Sequence, residues 1–249
     1  MATVAIYSMK GGVGKTTLAV NLAWAAATTA RRRTLLWDLD GQAASTFILS
    51  GRPGEGSTAG AQARAVLECD IPPQDIIRPT RVPGLDLLPA DASLRTLDQI
   101  FVEIDRKQHL RRLLADLDRH YEIIVLDSPP GLSFTSRQVM RAASIILMPM
   151  IPSTLSRRAY EEVRDFLAQD EEGSPPIFPV FTMVDRRRLT HVAALRADPG
   201  CPVIPMASAV EAMADHHAPV GDYAPRSPAA KAFLDLWRRI EPRLGLDPH

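Results

Sequence analysis

The sequence predicts a doubly wound, mostly parallel α/β fold: one sheet with helices on both faces. Two observations carry this. Short apolar, β-branched runs recur at 3–7, 34–37, 123–127, 145–150 and 177–184, separated by stretches of helical periodicity. Runs without polar alternation suit strands buried on both faces, as in parallel sheets. The turn between the first strand and the first helix is Gly-rich, Lys10-Gly11-Gly12-Val13-Gly14-Lys15-Thr16-Thr17. Strand, Gly-rich turn and helix in that order form the setting of a phosphate-binding loop. No internal repeat and no linker interrupt the 249 residues, so one domain over 1–249 is expected.

The first strand, Thr3 to Tyr7, leads into the Gly-rich loop, and Leu18 to Ala27 continues as helix. Gly11, Gly12 and Gly14, with Val13 between them, let several N–H groups converge on one anion. The helix N-terminus adds its partial positive charge. Lys15 can reach the β- and γ-phosphates, the Thr16 hydroxyl can hold Mg²⁺, and Thr17 completes the loop. Met9 stands where the general pattern has its first Gly. Lys10 is not needed to cradle a phosphate in its own subunit; it reads either as a solvated loop charge or as a group with another target. Arg31, Arg32 and Arg33 are expected to close the first helix, where cations suit the dipole.

The second strand, Thr34 to Trp37, ends in Asp38-Leu39-Asp40-Gly41-Gln42. Alternate spacing puts Asp38 and Asp40 on one side of an extended chain. Carboxylates at a strand end beside a phosphate loop are candidates for Mg²⁺ and water positioning; an Asp-Gly turn is the plainer reading. Residues 51–60 read as a mobile surface loop and 61–68 as a short helix. Leu85 to Leu88 forms a short strand. Leu94, Leu97, Phe101, Ile104, Leu110, Leu113, Leu114 and Leu117 mark one long or broken helix. The run Ile123 to Asp127 ends in a carboxylate at the rim where open α/β sheets bind ligands, and Ser128-Pro129-Pro130-Gly131 turns the chain. A strand at Ile145 to Met150 precedes an amphipathic helix carrying Leu155, Tyr160, Val163, Phe166 and Leu167. Another strand, Ile177 to Val184, runs into Asp185-Arg186-Arg187-Arg188. Val203 to Pro205 is the last strand, and a helix over 229–239 carries Phe233, Leu236, Trp237 and Ile240 on one face.

Composition narrows the function classes. Lys+Arg and Asp+Glu both number 29, which argues against a globally basic nucleic-acid binder but leaves room for a local patch. Cys69 and Cys201 form no C-x-x-C pair, so neither a disulfide scaffold nor a Cys-rich metal site is expected, and a reducing cytoplasm fits. The N-terminus enters a strand without the regions of a signal peptide, and no apolar run approaches 18 residues. His216-His217 lack a third ligand and read as exposed loop histidines.

The loop K-G-G-x-G-K-T-T resembles the deviant Walker A loop of the ParA/MinD family of ATPases. WDLDGQAAST is similar to the family segment D-x-D-P-Q-G-N-A-[ST], with Gly41 and Ala43 departing from its Pro and Gly. IIVLDSPPG resembles the Walker B strand, MPMIPSTLSRRA the segment after the next strand, and FTMVDRRR the adenine-side loop. The resemblance implies a P-loop NTPase fold of deviant Walker A type, ATP and Mg²⁺ as cofactors, and ATP hydrolysis that is slow and partner-stimulated. It implies that Lys15 and Thr16 bind phosphate and Mg²⁺, that Asp127 supports the metal with Asp38 nearby, and that Asp40 positions the attacking water. Lys10 would act across an ATP-dependent homodimer. Such a switch would bind DNA nonspecifically, answer to a cargo adaptor, and be cytoplasmic, associated with the nucleoid in its ATP state, with no membrane expected. Arg186, Arg187 and Arg188 are the densest candidate DNA patch, with Arg226, Arg238 and Arg239 as possible neighbours; a solvated loop is the plainer reading. Two alternatives share the fold: a membrane-surface ATPase, which needs a free C-terminal amphipathic helix, and a metabolic or metal-inserting enzyme.

Overall fold

The computed structural model describes residues 1–50, 62–96, 98–99, 101, 109–168 and 174–246. The loop expected over 51–60, together with Ala61, Leu97 and Ile104, lies outside the described residues. Eight strands form one sheet: β1 (Ala2–Ile6), β2 (Thr34–Asp38), β3 (Arg78–Pro79), β4 (Leu85–Leu88), β5 (Ile123–Asp127), β6 (Ile145–Met150), β7 (Ile177–Val184) and β8 (Val203–Pro205). Their order is β3-β4-β2-β5-β1-β6-β7-β8. All pairings are parallel except β3 with β4. β3 is two residues long, too short to carry a periodic signal. β1, β2, β5 and β6 are buried along their whole length, as their unalternating apolar runs predict.

The helices are α1 (Lys15–Thr29), α2 (Ala44–Leu49), α3 (Gln62–Leu67), α4 (His109–Leu117), α5 (Phe134–Ala142), α6 (Thr154–Ala168), α7 (Leu189–Ala197), α8 (Ser208–Glu211), α9 (Met213–His216), α10 (Val220–Tyr223) and α11 (Pro228–Ile240). Alternate residues of each central strand serve opposite cores. Ile124 and Leu126 join α3 to α6 on one face. Ile123 and Val125 join α1 and α11 on the other. Leu18 to Ala27 of α1 are all buried, which explains why this helix is rich in Ala and Leu and shows no polar stripe.

Buried groups on α1 tie down the chain after β8. Asn21 Oδ1 accepts from Val220 N at 2.8 Å, and Trp24 Nε1 donates to Asp222 Oδ1 at 2.9 Å. A Cβ on Gly221 would lie 1.9 Å from the Trp24 ring, so only glycine fits there.

Several expectations need correction. Arg31–Arg33 lie beyond the end of α1, and Arg32 is buried in ion pairs with Glu122 at 3.0 Å and Glu241 at 3.3 Å; a buried guanidinium needs such partners. In the region over 94–117, expected as one long or broken helix, Ala92–Thr96 is a 3₁₀ turn, residues 98–99 and 101 are helical, and α4 covers His109–Leu117 among the described residues. Helix α5, not expected from the sequence, is started by a capping box between Ser133 and Ser136. Leu155 is 66% exposed, whereas Val163 and Leu167 bury the core face of α6. His216 is exposed as expected but ends α9 and stacks on Tyr223 at 4.0 Å, while His217 is half-buried with Nδ1 3.0 Å from Phe47 O. The apolar face of α11 (Phe233, Leu236, Trp237, Ile240) is buried in the core, as its period suggested. Among the described residues no helix is long and apolar enough to cross a membrane.

Candidate functional site

The site lies at the C-terminal ends of the central strands. β1 is flanked by β5 and β6, and its end is fixed by Ser128 Oγ donating to Ile6 O at 2.6 Å and by Tyr7 N donating to Leu147 O at 3.0 Å. From there residues 8–14 turn into α1. Gly12 (φ 71°) and Gly14 (φ 86°) adopt left-handed backbone that glycine takes without strain. Gly14 is the N-cap of α1, and no side chain caps the helix, so its first N–H groups remain directed at the loop. Thr182 Oγ1 of β7 donates to Val13 O at 2.8 Å and anchors the loop from below.

Lys15, at the start of α1, is 8% exposed. Burial lowers its pKa, and the nearby charges of Asp127 and Asp40 counter that shift. Thr16 and Thr17 are half-buried, Val13 is buried, and Gly11, Gly12 and Lys10 are exposed. The two lysines of the loop therefore face different surroundings: one sits inside among carboxylates, the other stands in solvent.

Asp38 and Asp127 end β2 and β5 as register partners. Both are buried, 0% and 1% exposed. Burial, followed by the Asp127 charge, raises the Asp38 pKa; burial is likewise the first cause of the rise at Asp127, where the Asp40 charge adds to it. The first turn of α2 opposes this. Ser45 Oγ donates to Asp127 Oδ2 at 2.6 Å, and Thr46 donates to Asp38 Oδ2 from N at 2.9 Å and from Oγ1 at 2.8 Å. Asp40 N donates to Asp38 Oδ1 at 3.1 Å. Asp127 Oδ1 is buried and closes no hydrogen bond, although the Thr16 hydroxyl faces the carboxylate and favours its charged form.

Asp40 forms a turn and also acts electrostatically on the site. Its Oδ1 accepts from Gln42 N at 2.9 Å, which makes a turn, and its charge still acts on Lys15 and Asp127. Gly41 is explained by packing, because a Cβ there would lie 2.8 Å from Arg95 N.

An orphaned buried carboxylate oxygen, the Thr16 hydroxyl and Asp38 alongside make a hard-oxygen donor set that suits Mg²⁺. Among the described residues no group of three His, Cys, Asp or Glu could hold a metal by itself. Beside the loop an apolar cleft runs between Gly14, Thr17, Thr182, Met183, Met206 and Val210.

Arg186, Arg187 and Arg188 follow β7 on the same rim, and all three are exposed. Arg187 is bound in a two-pronged ion pair to Asp185, Nε to Oδ1 and Nη2 to Oδ2, both at 2.9 Å. Those bonds hold the Asp185 carboxyl down at about 2. Among the described residues Arg186 and Arg188 form no ion pair. Sequence reasoning missed Ser45, Thr46, Ser128 and Thr182, since a lone hydroxyl has no signature until the fold brings its acceptor beside it.

Residues 1–171 match the family model described as AAA domain. The chain is 35% identical over 154 residues to the chromosome partitioning protein ParA of Myxococcus xanthus, covering 59% of this chain and 51% of that protein, so it spans about half that relative's length. It is 28% identical over 249 residues to the sporulation initiation inhibitor protein Soj of Bacillus subtilis, covering 95% and 97%. Among solved structures, the septum site-determining protein MinD of Pyrococcus horikoshii, complexed with Mg-ADP, superposes with TM-score 0.78 at 22% identity, covering 98% and 97%. Cobyrinic acid a,c-diamide synthase of Mycobacterium smegmatis, with ADP and magnesium, gives TM-score 0.78 at 23% identity, covering 96% and 94%. At these identities the two structures attest the fold.

Proposed function

The chain belongs to the ParA/MinD family of ATPases, and from that premise we propose that it hydrolyses ATP as a switch that partitions or positions a cargo. The observation that carries this reading is the contrast within one loop: Lys15 buried against Asp127 and Asp40, Lys10 exposed at the rim. That all eight strands share one sheet supports treating the chain as a single ATPase domain.

In this reading the amides of residues 11–17 and the Lys15 ammonium hold the phosphates, and the apolar cleft at Met183 and Met206 receives the base. The Thr16 hydroxyl and Asp127, with Asp38 behind it, would hold Mg²⁺, which when bound would supply charge neutralisation at the phosphates. Asp40 orients the attacking water. Catalysis comes from positioning and charge complementarity, without a covalent intermediate on the protein. Lys10 has no role within its own subunit and reaches the nucleotide of a second copy, which gives an ATP-dependent homodimer. Arg186 and Arg188, paired across that dimer, contact DNA phosphates without reading bases. In its ATP state the protein is carried on the nucleoid, and an adaptor on the cargo stimulates hydrolysis. A membrane-surface role is disfavoured, because the C-terminal helix it would use has its apolar face in the core.

The test is calorimetric titration of ATP and ADP with Mg²⁺ into wild type and Lys15→Ala, together with phosphate release. Wild type should bind and hydrolyse, and the variant should do neither. Near-normal nucleotide affinity in Lys15→Ala would sink the phosphate-loop reading.

A further inference from the structure

Asp127 ends its strand in a buried pocket with its two oxygens in different situations. Oδ2 is taken by the Ser45 hydroxyl at 2.6 Å, one of the shortest side-chain bonds around the site, and both residues are at most 1% exposed. Oδ1 closes no hydrogen bond. A carboxylate free to rotate about its last torsion would exchange the two oxygens; a donor fixed on one of them prevents that. Ser45 is itself well held. It sits in the first turn of α2, and the next residue, Thr46, is bound to Asp38 through both N and Oγ1 while its hydroxyl accepts from Ala90 N at 2.9 Å. The donor thus comes from a rigid turn clamped on the neighbouring strand, which is the arrangement that orients a metal's supporting group.

We propose that Ser45 is a positioning residue that holds Oδ2 of Asp127 and thereby keeps Oδ1 as the oxygen presented to the hydration shell of the metal. The proposal rests on the nucleotide-site reading above. It assigns Ser45 no contact with nucleotide or metal; its whole effect passes through Asp127.

The test is the affinity for ADP measured by calorimetry, once with a chelator and once across a Mg²⁺ titration, on the full chain. Wild type should bind ADP more tightly with Mg²⁺. Ser45→Ala should keep its affinity in chelator while the Mg²⁺ concentration giving half of the enhancement rises about tenfold, the scale found when outer-shell partners of metals are removed. Ser45→Thr, which keeps the hydroxyl, should restore the wild-type Mg²⁺ dependence. An unchanged Mg²⁺ dependence in Ser45→Ala overturns the proposal. So does an equal loss of affinity with and without Mg²⁺ alongside a lower Tm, which is what a merely structural role would produce. A Ser45→Thr variant as impaired as Ser45→Ala overturns it too. If wild type binds no ADP under either condition, the nucleotide-site reading falls and the proposal with it, a result distinct from the variant-specific failures.

Discussion

Asp38 and Asp127 stand side by side as the last register pair of β2 and β5, both buried, with the turn of α2 donating to each. Burial disfavours the charged form of both, the Asp127 charge adds to the rise at Asp38 and the Asp40 charge to that at Asp127, so the pair retains protons above the ordinary carboxylate range of about 4.

The sign of the resulting pH dependence follows from linkage. The folded pKa values lie above the unfolded ones, so the native apoprotein holds more protons than the unfolded chain between about pH 4 and the raised values. This pair's contribution therefore favours the native state at low pH and declines as pH rises through neutrality. Urea unfolding of the apoprotein from pH 5 to 8 should show that decline, and Asp38→Asn should flatten it. The same slope in wild type and variant would remove the pair as its source.

Asp40→Ala is expected to bind ATP nearly as well as wild type and to lose turnover by about 100-fold or more. A carboxylate that orients water contributes to the transition state and not to ground-state binding. Size exclusion with ATP should then show an accumulated dimer. A variant that turns over normally would transfer the role to another residue.

Replacing Arg186, Arg187 and Arg188 together by Ala should weaken binding to any duplex alike and flatten its salt dependence, leaving ATP affinity in place. Each phosphate neutralised contributes about 0.9 to the slope of log affinity against log salt. Because Arg187 is already paired with Asp185, Arg186→Ala/Arg188→Ala alone should reproduce most of the effect. Fluorescence anisotropy of random duplex at several salt concentrations, with and without ATP, measures this. No ATP-dependent binding by wild type at low salt would end the nucleoid-carrier reading.

Gly221→Ala should destabilise the protein by about 2 kcal/mol or more, because the new methyl would overlap the Trp24 ring. For a chain of this size that corresponds to a fall in Tm of about 5 °C or more. Scanning calorimetry decides it, and an unchanged Tm would mean that α10 is not seated on α1 as described.

Read by itself, the sequence determined the parallel sheet, the Gly-rich turn between β1 and α1, and the placing of the carboxylates at 38, 40 and 127 at strand ends. The reason is local: unalternating apolar runs demand burial on both faces, and a Gly-rich turn between strand and helix has few other uses. The amphipathic face of α11 was legible on the same grounds. Tertiary structure alone decided what depends on partners distant in the chain. Arg32, which looked like a helix-end charge, is buried because Glu122 and Glu241 arrive beside it. Asp38 and Asp40, two residues apart, part company because β2 stops between them and Thr46 captures only the first. Ser45 acquires its importance when α2 folds back over β5, where a hydroxyl 82 positions away from a carboxylate comes within 2.6 Å of it. Periodicity reports which face of an element is buried; which polar groups meet is set by how the elements pack, and that has no local signature.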